Sequence, residues 1–129
     1  MAKGDDIQER LINFAVAIIK LCSFLLKNPV GNHISGQLLR SGTSPAPNYG
    51  EARGAESRKD FVHKLGIVLK ELNETEIWLE IIKRSELLSL EKVQPVAQEN
   101  KEMCRIIGES IRTTREDKQL ETFDLINHS

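Results

Sequence analysis

Near the start of the chain, Ile7, Leu11, Phe14, Ile18, Leu21 and Leu25 recur at alternating spacings of four and three. That is the period of one face of an α-helix and not the period of two of a strand. A second stripe runs beside it: Ile12, Ala15, Ile19, Cys22 and Leu26. Two adjacent stripes make an apolar face wider than a single neighbour covers. The spacing therefore predicts a helix over about residues 6–27. One stripe can bury in the protein's own bundle. The other needs a further neighbour, either inside the chain or on a second copy. Asp5 and Asp6 are suited to cap this helix, and Glu9 favours its dipole.

The rest of the chain continues in the helical period. Asn28-Pro29-Val30-Gly31 reads as a turn, with Asn32 as the cap of a second helix that begins with Ile34, Leu38 and Leu39. Small residues then take over: Ser41, Gly42, Ser44, Ala46, Gly50, Ala52, Gly54 and Ala55. Among them Pro45 and Pro47 remove backbone donors, so this helix is expected to bend near Pro45 and continue to Arg53. Ser57 with Asp60 fits a capping box for the third helix. Its stripe is Phe61, Leu65, Val68, Leu72, Leu79 and Ile82, with Thr75 in the one gap. A short link at Leu87–Ser89 leads to the fourth helix, faced by Val93, Val96, Met103, Ile106, Ile107 and Ile111, with Pro95 disturbing its start. After Thr114 the pattern fades into a polar tail in which Leu120, Phe123 and Leu125 dock or fray. The expected fold is all-α: one domain spanning residues 1–129, an antiparallel up-down four-helix bundle with its core at about 6–115, helix 2 kinked near Pro45, and a tail at 116–129.

Composition removes several classes of function. At 129 residues and 40% hydrophobic, the chain is neither disordered nor membrane-embedded. Its longest apolar stretch, within Leu11–Leu26, is broken by Asn13, Lys20 and Ser23, which argues against a membrane span. Acidic residues stand where a basic leader would, so a cytoplasmic protein is expected, with Cys22 and Cys104 as core thiols. The net charge of −1 gives little general attraction to nucleic acid. The charge is uneven, however. Residues 33–70 hold six Lys/Arg against three Asp/Glu, whereas residues 71–100 hold three against seven. A polyanion site therefore belongs to the first segment, where Arg40, Arg53, Arg58, Lys59 and Lys64 are the candidate basic rim.

From Gln37 to Leu79 the chain resembles a known family. The resemblance rests on Gln37-Leu38-Leu39-Arg40-Ser41, Thr43-Ser44, Asn48-Tyr49 with Glu51-Ala52, Ser57-Arg58, Asp60-Phe61, Lys64-Leu65-Gly66, Leu69-Lys70-Glu71, Glu74-Thr75 and Trp78-Leu79. These residues are similar to those of the bacterial four-helix bundle proteins encoded by intervening sequences inside large-subunit ribosomal RNA genes. A related protein is the accessory protein of diversity-generating retroelements, which is markedly basic where this chain is not. Pro45 and Pro47, and the form Asn48-Tyr49-Gly50-Glu51-Ala52, depart from the family pattern and bear on the bend of helix 2. The resemblance implies a protomer that assembles into a homopentamer and associates with RNA, the ribosome or a nucleic-acid enzyme.

No single residue pattern carries strong chemistry. Arg58 and His63 match the Arg-x4-His spacing of helical-bundle ribonucleases, and a helix N-terminus with Arg58, Lys59 and His63 can hold a phosphate. Asp60-x-x-His63 is half of a carboxylate-bridged metal pattern, but His33 and His128 lie in a turn and in the tail, so neither metal nor cofactor is expected. Asn48, Tyr49 and Glu51 form either a recognition or assembly surface, or a set in which Asn48 and Glu51 satisfy backbone groups freed by the prolines. Trp78 reads as a core or interface anchor. The resulting expectation is a non-enzymatic homo-oligomeric scaffold or adaptor for RNA or an RNA-dependent enzyme. A ribonuclease and a purely protein–protein module are the alternatives.

Overall fold

A computed structural model describes the backbone of residues 3–128 and the side chains of residues 4–117. Its helices are α1 (Lys3–Cys22), α2 (Pro29–Thr43), α3 (Pro45–Arg53), α4 (Arg58–Arg84) and α5 (Leu90–His128). The short α2 and α3 follow one another as two segments of a single rod, so the architecture is a four-helix bundle with a kinked second helix. The axis bends by 20° at the Ser44–Pro45 junction. Pro45 cannot donate to the Ser41 carbonyl, and its ring crowds that carbonyl, which is why the break falls there.

The first stripe of α1 is the core stripe. Ile7, Leu11, Phe14, Ile18, Leu21 and Leu25 are all buried, against Leu38 of α2, Leu65, Val68, Leu72, Leu79 and Ile82 of α4, and Val93, Met103 and Ile107 of α5. Truncating one of the fully buried leucines to alanine costs about 2–5 kcal/mol in such a setting. Thr75 fills its gap in the α4 stripe by polar means. Its hydroxyl donates to the Glu71 carbonyl at 2.8 Å and lies 2.9 Å from Ser41 Oγ, and both side chains are fully buried. One turn away the buried Asn100 amide donates to the Leu72 carbonyl at 3.0 Å.

The ends of the helices differ from the sequence reading at three places. α1 stops at Cys22, not near residue 27, and residues 23–28 turn tightly, with Ser23 Oγ donating to the Lys20 carbonyl at 2.6 Å. Leu25 still reaches the core from this turn. α2 begins at Pro29, not near Ile34. Its cap is Asn28, whose Oδ1 accepts from Gly31 N at 2.8 Å, because proline at the first helical position needs no donor partner. α5 does not fade near Thr114; its backbone is helical to His128, through a run of residues with good helix propensity. The side chains of Leu120, Phe123 and Leu125 lie outside the described residues. The other caps agree with expectation. Ser57 Oγ accepts from Asp60 N at 3.1 Å, and Ser89 Oγ from Lys92 N at 3.4 Å.

The small residues of the second rod serve packing inside the protomer. A Cβ on Gly42 would sit 2.7 Å from Ile18 Cγ1, so α1 and α2 approach as closely as they do only because Gly42 has none. Ser41, Pro45, Ala46, Tyr49 and Ala52 are buried on the same rod.

Candidate nucleic-acid interface

Because the bundle is antiparallel, the end of α3, the start of α4, the start of α1 and the late turns of α5 meet at one end. Gly4, Ile7, Tyr49, Arg53, Phe61, Glu109, Ser110, Thr113 and Thr114 line a cleft there of about 450 Å³. Beside it, sharing Thr114, is a groove of about 240 Å³ lined by Arg58, Lys59, Val62, Thr114 and Arg115.

Four of the five candidate basic residues gather at this end, and Arg40 does not. Arg53 donates to Asp5 Oδ1 at 2.6 Å, and Lys64 stands 3.7 Å from Asp60 Oδ2. Arg58 and Lys59 are exposed along the groove. Arg40 is held farther up the bundle, where it pairs with Glu71 and Glu74 of α4. Those glutamates lie thirteen or more residues beyond Arg58, which is about 20 Å of helix. Arg115 was missed in the sequence, where it sat in the fading end of the last stripe. The antiparallel order was the available signal, because it returns the late turns of α5 to the start of α4.

The three motif residues part ways. Tyr49 is buried, and its burial pushes the phenol above its ordinary pKa. Asn48 turns toward the break, with Nδ2 donating to the Ser44 carbonyl at 3.0 Å and to Ser44 Oγ at 2.8 Å. It thus reinforces Ser44, and not the Ser41 and Thr43 carbonyls that the prolines leave. Glu51 is exposed.

Arg58 and His63 do not share a groove. Five residues along an α-helix turn a side chain by about 140°, and His63 is exposed outside the lining that holds Arg58. Among the described residues, no three His, Cys, Asp or Glu side chains converge as metal ligands. His33 packs edge-on to Trp78, with ring centroids 6.0 Å apart. The Trp78 ring N–H donates to Glu74 Oε2 at 3.1 Å, and this bond, more than the neighbouring Arg40, lowers the Glu74 pKa. Burial raises the Cys104 thiol to about 11, aided by Glu76, and raises Cys22 as well. Neither thiol is a ready nucleophile. No helix among the described residues is long and apolar enough to cross a membrane.

The fold and this end define an all-α bundle protein with a basic, shallowly grooved end and no assembled reaction centre among the described residues. The model of the 23S rRNA-intervening sequence protein family matches residues 5–109, and the chain belongs to that family. A crystal structure from Bacteroides thetaiotaomicron, of a protein with unknown function from the S23 ribosomal protein family, is similar to it. The two are 39% identical with a TM-score of 0.77, and the match covers 81% of this chain and 97% of the other. Among curated proteins none matches the chain.

Proposed function

We propose that this protein is a non-enzymatic homo-oligomer, pentameric as the family resemblance implies, which serves as a scaffold or adaptor for RNA, the ribosome or an RNA-dependent enzyme. One observation carries the assembly. Ile12, Val16 and Ile19 form a continuous stripe on α1 and are 43%, 43% and 53% exposed. A row of large aliphatic side chains along a helix is a surface that another protein covers. Assembly also changes the electrostatics. A single protomer with net charge −1 attracts polyanions weakly. Repeating Arg53, Arg58, Lys59, Lys64 and Arg115 in every copy lets several weak contacts act together on one RNA.

Light scattering on a sizing column, with absorbance at 260 and 280 nm, tests both parts. The expected result is one species of several protomers whose affinity for RNA fragments falls steeply with salt. Lys59→Glu combined with Arg115→Glu weakens RNA binding at least tenfold and leaves the mass unchanged. A monomeric wild type refutes the scaffold. RNA binding unaffected by the double substitution refutes the basic end as the contact.

A further inference from the structure

The aliphatic stripe on α1 is one of two uncovered faces. On α4, Ile77 is 60% exposed, with Ile81 and Ile67 beside it at 39% and 36%. α1 packs against α2, α3 and α5, and α4 packs against the same three, but α1 and α4 do not touch. The two helices therefore stand at opposite corners of the bundle, and their uncovered faces point away from each other.

The two faces also match in level and in charge. α1 and α4 run in the same direction, and Ile7 and Phe61 line one cleft, so these two residues are level. Counting along both helices at the same rise, Glu9 is level with His63, Ile12 with Gly66 and Ile67, Val16 with Lys70, and Lys20 with Glu74. The turn that carries the exposed Phe24 and Leu26 comes level with Ile77 and Ile81. At 100° per residue, Glu9, Ile12, Val16, Ile19 and Lys20 share the outer side of α1. Lys59, His63, Gly66, Lys70, Ile77 and Ile81 share that of α4. α1 is acidic at its entry, with Asp6 and Glu9 exposed, where α4 is basic, with Lys59 and His63 exposed. Gly66 has open space where a side chain would be, which leaves room for a neighbouring helix.

We propose that copies of this chain join head to tail, the outer face of α1 on one copy packing in parallel against the outer face of α4 on the next. The inference rests on the assembly reading above and names its seam. A rotation about an axis parallel to the bundle keeps every residue at its own level. It sets aliphatic against aliphatic and the acidic entry of α1 against the basic entry of α4. The seam uses two different surfaces, so each copy keeps one of each to offer, and the chain of contacts ends only when a ring closes.

Val16→Glu and Ile77→Glu place a charge in the middle of each face at exposed positions, and circular dichroism reports that the helices persist. Each alone is expected to reduce the solution mass to one protomer, 14.6 kDa. If only one of the two does so, the seam pairs a face with itself and the proposal fails. If neither does while the wild type remains oligomeric, assembly stands and this seam falls. A monomeric wild type removes both. As a second measurement, copies carrying Glu9→Cys are mixed with copies carrying His63→Cys and gently oxidised. Cross-linked dimers are expected in the mixture and not in either variant alone. Self-linking of Glu9→Cys, or no link in the mixture, overturns the arrangement.

Discussion

Replacing Gly31 by alanine tests the turn that joins α1 to α2. The added Cβ would lie 1.8 Å from the Leu26 carbonyl oxygen and 2.9 Å from its carbon, both main-chain atoms. Relief requires that carbonyl to retreat by more than an ångström, although it accepts from Asn28 N at 3.0 Å and the adjoining Leu25 is anchored in the core. The retreat gives up that hydrogen bond, worth about 0.5–1.5 kcal/mol net. It also disturbs the Asn28 cap on Gly31 N, worth about 1 kcal/mol. Alanine returns about 0.4–1 kcal/mol by restricting the unfolded chain. The expected net loss is about 1–2 kcal/mol, or roughly 4–8 °C in Tm for a domain between the small and medium size classes. Gly36→Ala is the control, since nothing lies within 4 Å of its added Cβ on the same helix. It should gain up to about 1 kcal/mol. Urea unfolding followed by circular dichroism, at one fixed protein concentration, measures both. A Gly31→Ala protein as stable as Gly36→Ala would refute the account of the turn.

Three further outcomes follow from the same structure. Thr75→Val should cost about 1–3 kcal/mol in urea unfolding by leaving the buried Ser41 hydroxyl without its partner, and adding Ser41→Ala should recover most of the loss. The fluorescence of the chain's one tryptophan, Trp78, should change as Glu74 is protonated, with a midpoint below the ordinary glutamate value of 4.5, and Glu74→Gln should abolish the step. Because the folded pKa is the lower one, the stability that Glu74 lends is fully present above 4.5 and is lost as pH falls through its folded value. Glu86 holds a left-handed backbone, φ 57°, in the α4–α5 turn, so Glu86→Gly should raise stability by roughly 0.5–1 kcal/mol in the same unfolding assay.

Much of the fold was legible because apolar spacing is a direct projection of helix geometry. The six residues from Ile7 to Leu25 were read as one buried stripe, and they are one. Ser57 and Ser89 were legible as caps because a hydroxyl three residues ahead of a free N–H is a local matter. The α1–α2 turn was harder. Leu25 and Leu26 continue the helical period, yet the backbone has already left the helix, and the period alone cannot show that. The basic end was half legible. Charge counting placed Arg40 with the others, because sequence distance says nothing about which carboxylates stand across the helix boundary, and Glu71 and Glu74 lie on another helix. Arg115 was lost for the converse reason, since only the return of α5 brings it beside Lys59.

The buried polar contacts on α4 bear on what kind of precision this bundle has. The Ser41–Thr75 pair and the Asn100–Leu72 bond sit within one turn of each other and tie α4 to two different neighbours. Aliphatic side chains tolerate a helix sliding along its partner, because one methyl group substitutes for another. A hydroxyl or an amide does not, since a slip of one turn strands it in hydrocarbon. These few bonds act as detents. They fix the height of each rod to within a fraction of a turn, and hence the height of everything carried on its outer side. A protomer whose exterior must meet an identical exterior, copy after copy, has a use for that fixed scale which a solitary bundle would not.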